Sequence, residues 1–172
     1  KKELDDAKDV LWNGKSDTEV ILEAIEHWGM EKALSKFNGM FSLALWDRKN
    51  QLLHLARDRM GIKPLYWLFQ DSNFIFGSEL KSLMMYEKFD FEIDKNSLAL
   101  FMKYKCVQNP TTIFKNVYQL EPGTILTFNK DKSIKKTEYW ALEKVVESGL
   151  KKKNINQEFI FEEIYELLDS AV

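Results

Sequence analysis

Only one cysteine, Cys106, occurs in the 172 residues, so no disulfide can form within the chain. That scarcity points to a reducing compartment, and the expected location is cytoplasmic. Excess charge of either sign is also missing: 25 basic residues face 27 acidic ones, a formal net charge of -2. Nucleic-acid binding needs a basic face, so none is expected. No apolar run approaches the ~20 residues that span a bilayer, and no signal-peptide pattern opens the chain, so no membrane partner is expected. The two histidines, His27 and His54, have no Cys or His at ligand spacing, which argues against a metal site. Internal repeats and low-complexity tracts are absent. The chain also lacks an initial Met, beginning Lys1-Lys2-Glu3, and it stops inside a helical pattern, "FIFEEIYELLDSAV". Both ends therefore read as cuts in a larger protein.

What is present supports a packed core. Apolar residues make up 45% of the chain and aromatic ones 13%. In "NGKSDTEVILEAIEHW", Val20, Ile21, Ala24, Ile25 and Trp28 share one helical face. Ser16 and Glu19 have capping-box spacing, which starts that helix at Asp17. "EKALSKF" continues as a second short helix. "GMFSLALWD" is apolar on both alternating sets and reads as a strand buried on both faces. With "QLLHLARD" across the turn "DRKN" it makes a hairpin, and "PLYWLF", "DSN" and "FIFGSE" make another. "SELKSLMMY" is helical, with Ser78 as its cap. Asp94 caps a helix through "KNSLALFMKY". "EPG" turns the chain into the strand "TILTF", and "IKKTEYW" is the last strand. "ESGLKKKNINQ" reads as a polar linker, its lysines 151–153 solvated. Doubly buried strands between helices imply layered α and β structure.

The segments "SDTEVIL", "FNGMFSLALWD", "LARDRMGIKPLYW", "FGSELKSL", "TIFKNVYQLEPG" and "YW", in that order, resemble the glutaminase domain of glutamine-hydrolysing asparagine synthetases. These are class II glutamine amidotransferases. The resemblance implies an α+β fold, the four-layer αββα sandwich of N-terminal-nucleophile hydrolases, here incomplete. It implies residues 1–142 as the C-terminal two-thirds of a glutaminase domain. A linker follows over 143–157, and 158–172 would be the first helix of an ATP-pyrophosphatase-type synthetase domain. The implied reaction hydrolyses glutamine to glutamate and ammonia. The ammonia then amidates aspartate to asparagine in the second domain, where ATP and Mg activate the aspartate. The implied partners are thus glutamine, with aspartate and ATP through the second domain; a homodimer is compatible with the resemblance. Amidotransferases of surface-polysaccharide or peptide pathways are the alternative, as is a non-catalytic amidotransferase-like scaffold.

The family nucleophile is an N-terminal cysteine whose own α-amino group serves as base. Neither it, nor the arginine-containing glutamine loop, nor the "NGE" oxyanion segment occurs here, so this chain alone is expected to be inactive. Cys106 is mid-chain and cannot replace that cysteine; it is expected as a buried, inert thiol. No residue is assigned a catalytic role and none a metal. One site residue carries over: Asp17, whose counterpart binds the α-ammonium group of glutamine through charge-assisted hydrogen bonds. Helix-dipole stabilisation is the competing role for that carboxylate. Arg57 and Asp58 read as a clamp or ion pair holding a turn that Gly61 and Pro64 demand, in preference to an anion site. Glu79 is placed toward an ammonia path or a domain interface.

Overall fold

The computed structural model describes residues 1–7, 11–151 and 157–171. The chain divides into two compact units, Lys1–Trp140 and Ala141–Val172. In the first, a short helix α1 (Lys2–Ala7) precedes α2 (Asp17–Trp28) and α3 (Met30–Lys36). Ser16 caps α2 as its sequence suggests, its hydroxyl accepting from the Thr18 amide at 3.2 Å. The capping box is not closed, however. Glu19 reaches further back and accepts from the amides of Asn13 and Gly14 at 2.8 and 2.9 Å. Those bonds hold its carboxyl below the usual carboxylate range. Leu4, Ala24 and Ala33 form the small core that joins the three helices.

Two hairpins follow. β1 (Ser42–Asp47) pairs with β2 (Leu52–Arg57), and β3 (Tyr66–Gln70) pairs with β4 (Asn73–Gly77). After α4 (Leu80–Leu83) and α5 (Lys95–Tyr104) come β5 (Val117–Gln119), β6 (Thr124–Phe128) and β7 (Ile134–Glu138). All pairings are antiparallel, giving one sheet ordered β1-β2-β6-β7 and another ordered β4-β3-β5. The result is an α+β fold with two antiparallel sheets. Leu55 and Leu126 of the first sheet meet Trp67 of the second, together with Leu65 and Leu120, in a shared apolar core. On the other face of the first sheet, Ala56 and Ile125 pack against Leu34 of α3. On the other face of the second, Leu68 and Val117 pack against Leu83 of α4. Strand alternation makes this possible, since each strand offers successive side chains to opposite faces.

Three expectations are corrected. The strand at "GMFSLALWD" is not buried on both faces: Ala44 is exposed and Trp46 is 50% exposed. Ala44 and Trp46 lie opposite Leu55 and Leu53, yet the core between the sheets stops at β2, so among the described residues nothing covers the inner face of β1. Ser78 is not a cap; Glu79 occupies that position, with no side-chain bond to the helix, and pairs with Lys81 at 2.7 Å. Cys106 is exposed rather than buried, because α5 ends at Lys105 in a left-handed conformation and the chain turns away on the surface. Asp94 does cap α5, accepting from Asn96 and Ser97.

In the second unit, the first part of the expected linker over 143–157 is helical. α6 (Leu142–Leu150) carries Leu142, Val145, Val146 and Leu150 at helical spacing. Residues 152–156, which hold most of the lysine run, lie outside the described residues. α7 (Gln157–Ala171) follows as the terminal pattern predicts.

Candidate functional site

A cleft of about 410 Å³ opens between the first turns of α2 and the free edge of β1, with Lys63 on its wall. Its floor is set by the strand. The Phe41 carbonyl accepts from the Asp58 amide, so the odd-numbered positions of β1 bond toward β2. The N–H and C=O groups of Ser42 and Ala44 therefore point outward, to the open edge. Ile21, Ile25 and Leu43 add apolar wall.

Asp17 lines this cleft. Its carboxylate accepts only a long bond, 3.4 Å, from the Ser16 hydroxyl. Among the described residues it makes no ion pair and accepts no backbone amide. The helix start is capped by Ser16 instead. Asp17 is thus at the first helical position without performing the cap, and its charge is left available to a ligand.

Lys63 reaches the same cleft on a loop fixed from both sides. Arg57 and Asp58 are buried, 4% and 2% exposed. Arg57 donates through Nε to the Lys63 carbonyl at 2.8 Å, through Nη1 to Leu120 at 2.6 Å and through Nη2 to Gly61. The Asp58 carboxylate accepts from the amides of Met60, Ile62 and Lys63 at 3.2, 2.9 and 2.9 Å. Burial pushes the Arg57 guanidinium down from its ordinary value, while the Asp58 charge opposes that shift. Every one of these bonds ends on main chain, so the pair is a backbone clamp and not an anion site.

The clamp gathers motifs that are far apart in sequence. Gly123 of "EPG" donates to the Asp58 carbonyl at 3.0 Å, and the Tyr139 and Trp140 amides donate to Gly123. The Tyr139 hydroxyl donates to the Arg57 carbonyl at 2.8 Å; burial first, and the Asp58 charge second, push its pKa up to about 12. A Cβ on Gly61 would lie 2.8 Å from Pro122 and 3.0 Å from the Arg57 guanidinium carbon. Gly61 also has φ of +66°, which favours glycine.

The remaining candidates lie elsewhere. His54 is half-buried with Nδ1 2.9 Å from the Thr127 hydroxyl, and burial holds its pKa below 6.5. His27 packs edge-on against Trp28. Cys106 does not line the cleft. Among the described residues no group of three or more His, Cys, Asp or Glu could hold a metal, and no helix is long and apolar enough to cross a membrane. Sequence reasoning missed Lys63 and Ser42 as cleft residues. The signal for Lys63 was its place in "GIKP", immediately before a rigid proline.

A family model described as "Glutamine amidotransferase domain" matches residues 1–140. The chain is 40% identical over 129 residues to asparagine synthetase [glutamine-hydrolyzing] 1 of Bacillus subtilis (strain 168), covering 75% of this chain and 20% of that protein. It is 34% identical over 148 residues to a putative asparagine synthetase [glutamine-hydrolyzing] 2 of Methanocaldococcus jannaschii, covering 79% and 28%. The chain thus spans a fifth to little more than a quarter of these curated relatives. Among solved structures, the glutamine phosphoribosylpyrophosphate amidotransferase of B. subtilis superposes with a TM-score of 0.51 at 17% identity, over 81% of this chain and 26% of that one. That likeness concerns the fold alone.

Proposed function

The chain belongs to the class II glutamine amidotransferase domain family, related to the N-terminal domains of asparagine synthetases, and from that premise we propose that it forms the larger part of a glutaminase domain whose ammonia amidates aspartate to asparagine. In this reading the two sheets and their helices are an incomplete αββα sandwich of the N-terminal-nucleophile type. Residues 143–157 then join it to a synthetase domain that 158–172 begin. Aspartate, ATP and Mg act in that second domain; none is assigned to a residue here. The full-length gene product is the enzyme, and its nucleophile is a cysteine upstream of Lys1. Cys106 cannot serve, because an internal residue has no free α-amino group to act as its base.

One observation carries the reading: Asp17 lines the cleft, and among the described residues its carboxylate makes no ion pair and accepts only a long bond from Ser16. A glutamine α-ammonium group would supply the missing cation through charge-assisted hydrogen bonds. The test is Asp17→Asn in the full-length gene product, assayed with glutamine and with an ammonium salt. Loss of a charged hydrogen bond costs on the order of 1.5–3 kcal/mol, so glutamine affinity should fall roughly ten- to a hundred-fold. Ammonium-dependent asparagine synthesis should be unchanged, since free ammonia bypasses the glutamine cleft. Equal losses in both assays would reduce Asp17 to a helix-dipole charge.

A further inference from the structure

Resting on that glutamine reading, we infer that Tyr139 is a positioning residue of the cleft: its hydroxyl, at the chain's exit from the first unit, holds the peptide that fixes the cleft's floor and wall. The peptide unit between Arg57 and Asp58 is planar, so its two polar ends move together. Its N–H, on Asp58, donates to the Phe41 carbonyl at 2.9 Å. Its C=O, on Arg57, accepts from the Tyr139 hydroxyl at 2.8 Å. Phe41 lines the cleft immediately before β1. The Asp58 carboxylate also accepts from the amide of Lys63, which lines the cleft too. One peptide is thus gripped from the cleft side and from Tyr139.

The sheet does not explain the bond from Tyr139. The β2–β6 register ends at Ala56 opposite Ile125, one residue short of Arg57. The hydroxyl meets the Arg57 carbonyl where that ladder stops. A second link runs beside the first. The Gly123 amide donates to the Asp58 carbonyl at 3.0 Å, and the Gly123 carbonyl accepts from the amides of Tyr139 and Trp140 at 2.9 and 3.2 Å. Both peptides of Asp58 are therefore tied to residues 139 and 140, the last two of the first unit. Removing the hydroxyl frees one end of the peptide that anchors Phe41 and leaves a carbonyl that must find another donor.

The experiment uses the full-length gene product carrying Tyr139→Phe or, as a matched control, Thr112→Val. Tyr139→Phe deletes only the hydroxyl; the ring stays packed against Leu34, Ala56 and Ile125. The Thr112 hydroxyl likewise donates to main chain, to the Val117 carbonyl at 2.9 Å, but Thr112 does not line the cleft. Three quantities are measured: hydrogen exchange across residues 57–63 by mass spectrometry, the glutamine KM, and the ammonium-dependent kcat. In Tyr139→Phe the exchange and the glutamine KM should each rise roughly three- to tenfold, the contribution of one hydrogen bond, with the ammonium-dependent kcat unchanged. Thr112→Val should lower the urea midpoint to a similar extent and move none of the three. If Tyr139→Phe shifts the glutamine KM no more than Thr112→Val does, the positioning role is overturned, whatever the exchange shows. Asp17→Asn, assayed alongside, separates the two readings. A loss there with none in Tyr139→Phe overturns Tyr139 alone; a KM rise in Tyr139→Phe alone supports the positioning role and overturns Asp17; no change in either overturns both.

Discussion

Single residues in this domain divide by what their polar atoms touch. Among the described residues, the side chains of Arg57 and Asp58 direct their hydrogen bonds to main chain, whereas Asp17 accepts only one long bond, from Ser16. Buried polar groups must be paired because desolvation is costly, so the clamp is structural by its own bookkeeping. Free charges at a cleft carry no such obligation. His54 belongs with the buried set. Burial disfavours its cation, and the weaker pull of Asp47 does not restore it. The unfolded chain therefore binds a proton more readily than the folded one near and below pH 6.5. Stability from this group is complete above that value and is lost as pH falls toward the folded pKa. The denaturation midpoint in urea should drop as pH falls below about 6.5. His54→Gln, which keeps a hydrogen-bonding group near Thr127, should flatten that part of the profile. An identical slope in the variant would show that other groups govern it.

At the scale of elements, sequence reasoning was strongest where period and turn chemistry agreed. The two hairpins, α2 and α5 were legible for that reason. β5 was not: three residues are too few to show a period, and its place is set by pairing with β3. α6 was hidden by its lysine-rich neighbourhood, and the exposed inner face of β1 by its uniformly apolar residues. A run of apolar side chains tells what could be buried, not what is available to cover it. Of the cleft lining, Asp17 was singled out by a motif, while Lys63 needed the loop geometry. The convergence of "RD", "EPG" and "YW" also needed three dimensions, and Gly123 is its tightest point. With φ of +62°, an added Cβ would press into the Trp140 carbonyl, whose carbon would be 3.1 Å away. Gly123→Ala should cost at least about 3 kcal/mol by urea denaturation, combining strain and clash. Gly29→Ala is the control: φ is +78° and ψ is 162° but nothing lies within 4 Å, so strain alone, roughly 1–3 kcal/mol, is expected. Equal costs would mean that the close packing of these motifs adds nothing.

At the scale of the whole molecule, the uneven coverage of the first sheet has consequences for association. β7, β6 and β2 lie side by side, but among the described residues β1 ends the sheet with an unpaired edge and an uncovered inner face. Unpaired strand edges with exposed apolar side chains template contacts with other chains. Trp46 sits at the centre of this hazard, on the inner face opposite Leu53. A charge there should act as edge strands commonly do when they resist pairing. Trp46→Lys in the 172-residue chain should lower concentration-dependent self-association in sedimentation velocity. Half of the indole is already in water, so the cost to folding should be modest, roughly 1–2 kcal/mol. The competing expectation is that the twist of the hairpin alone shields the edge. In that case wild type and variant would sediment alike as monomers across the same concentration range, and the open face of β1 would have no part in association.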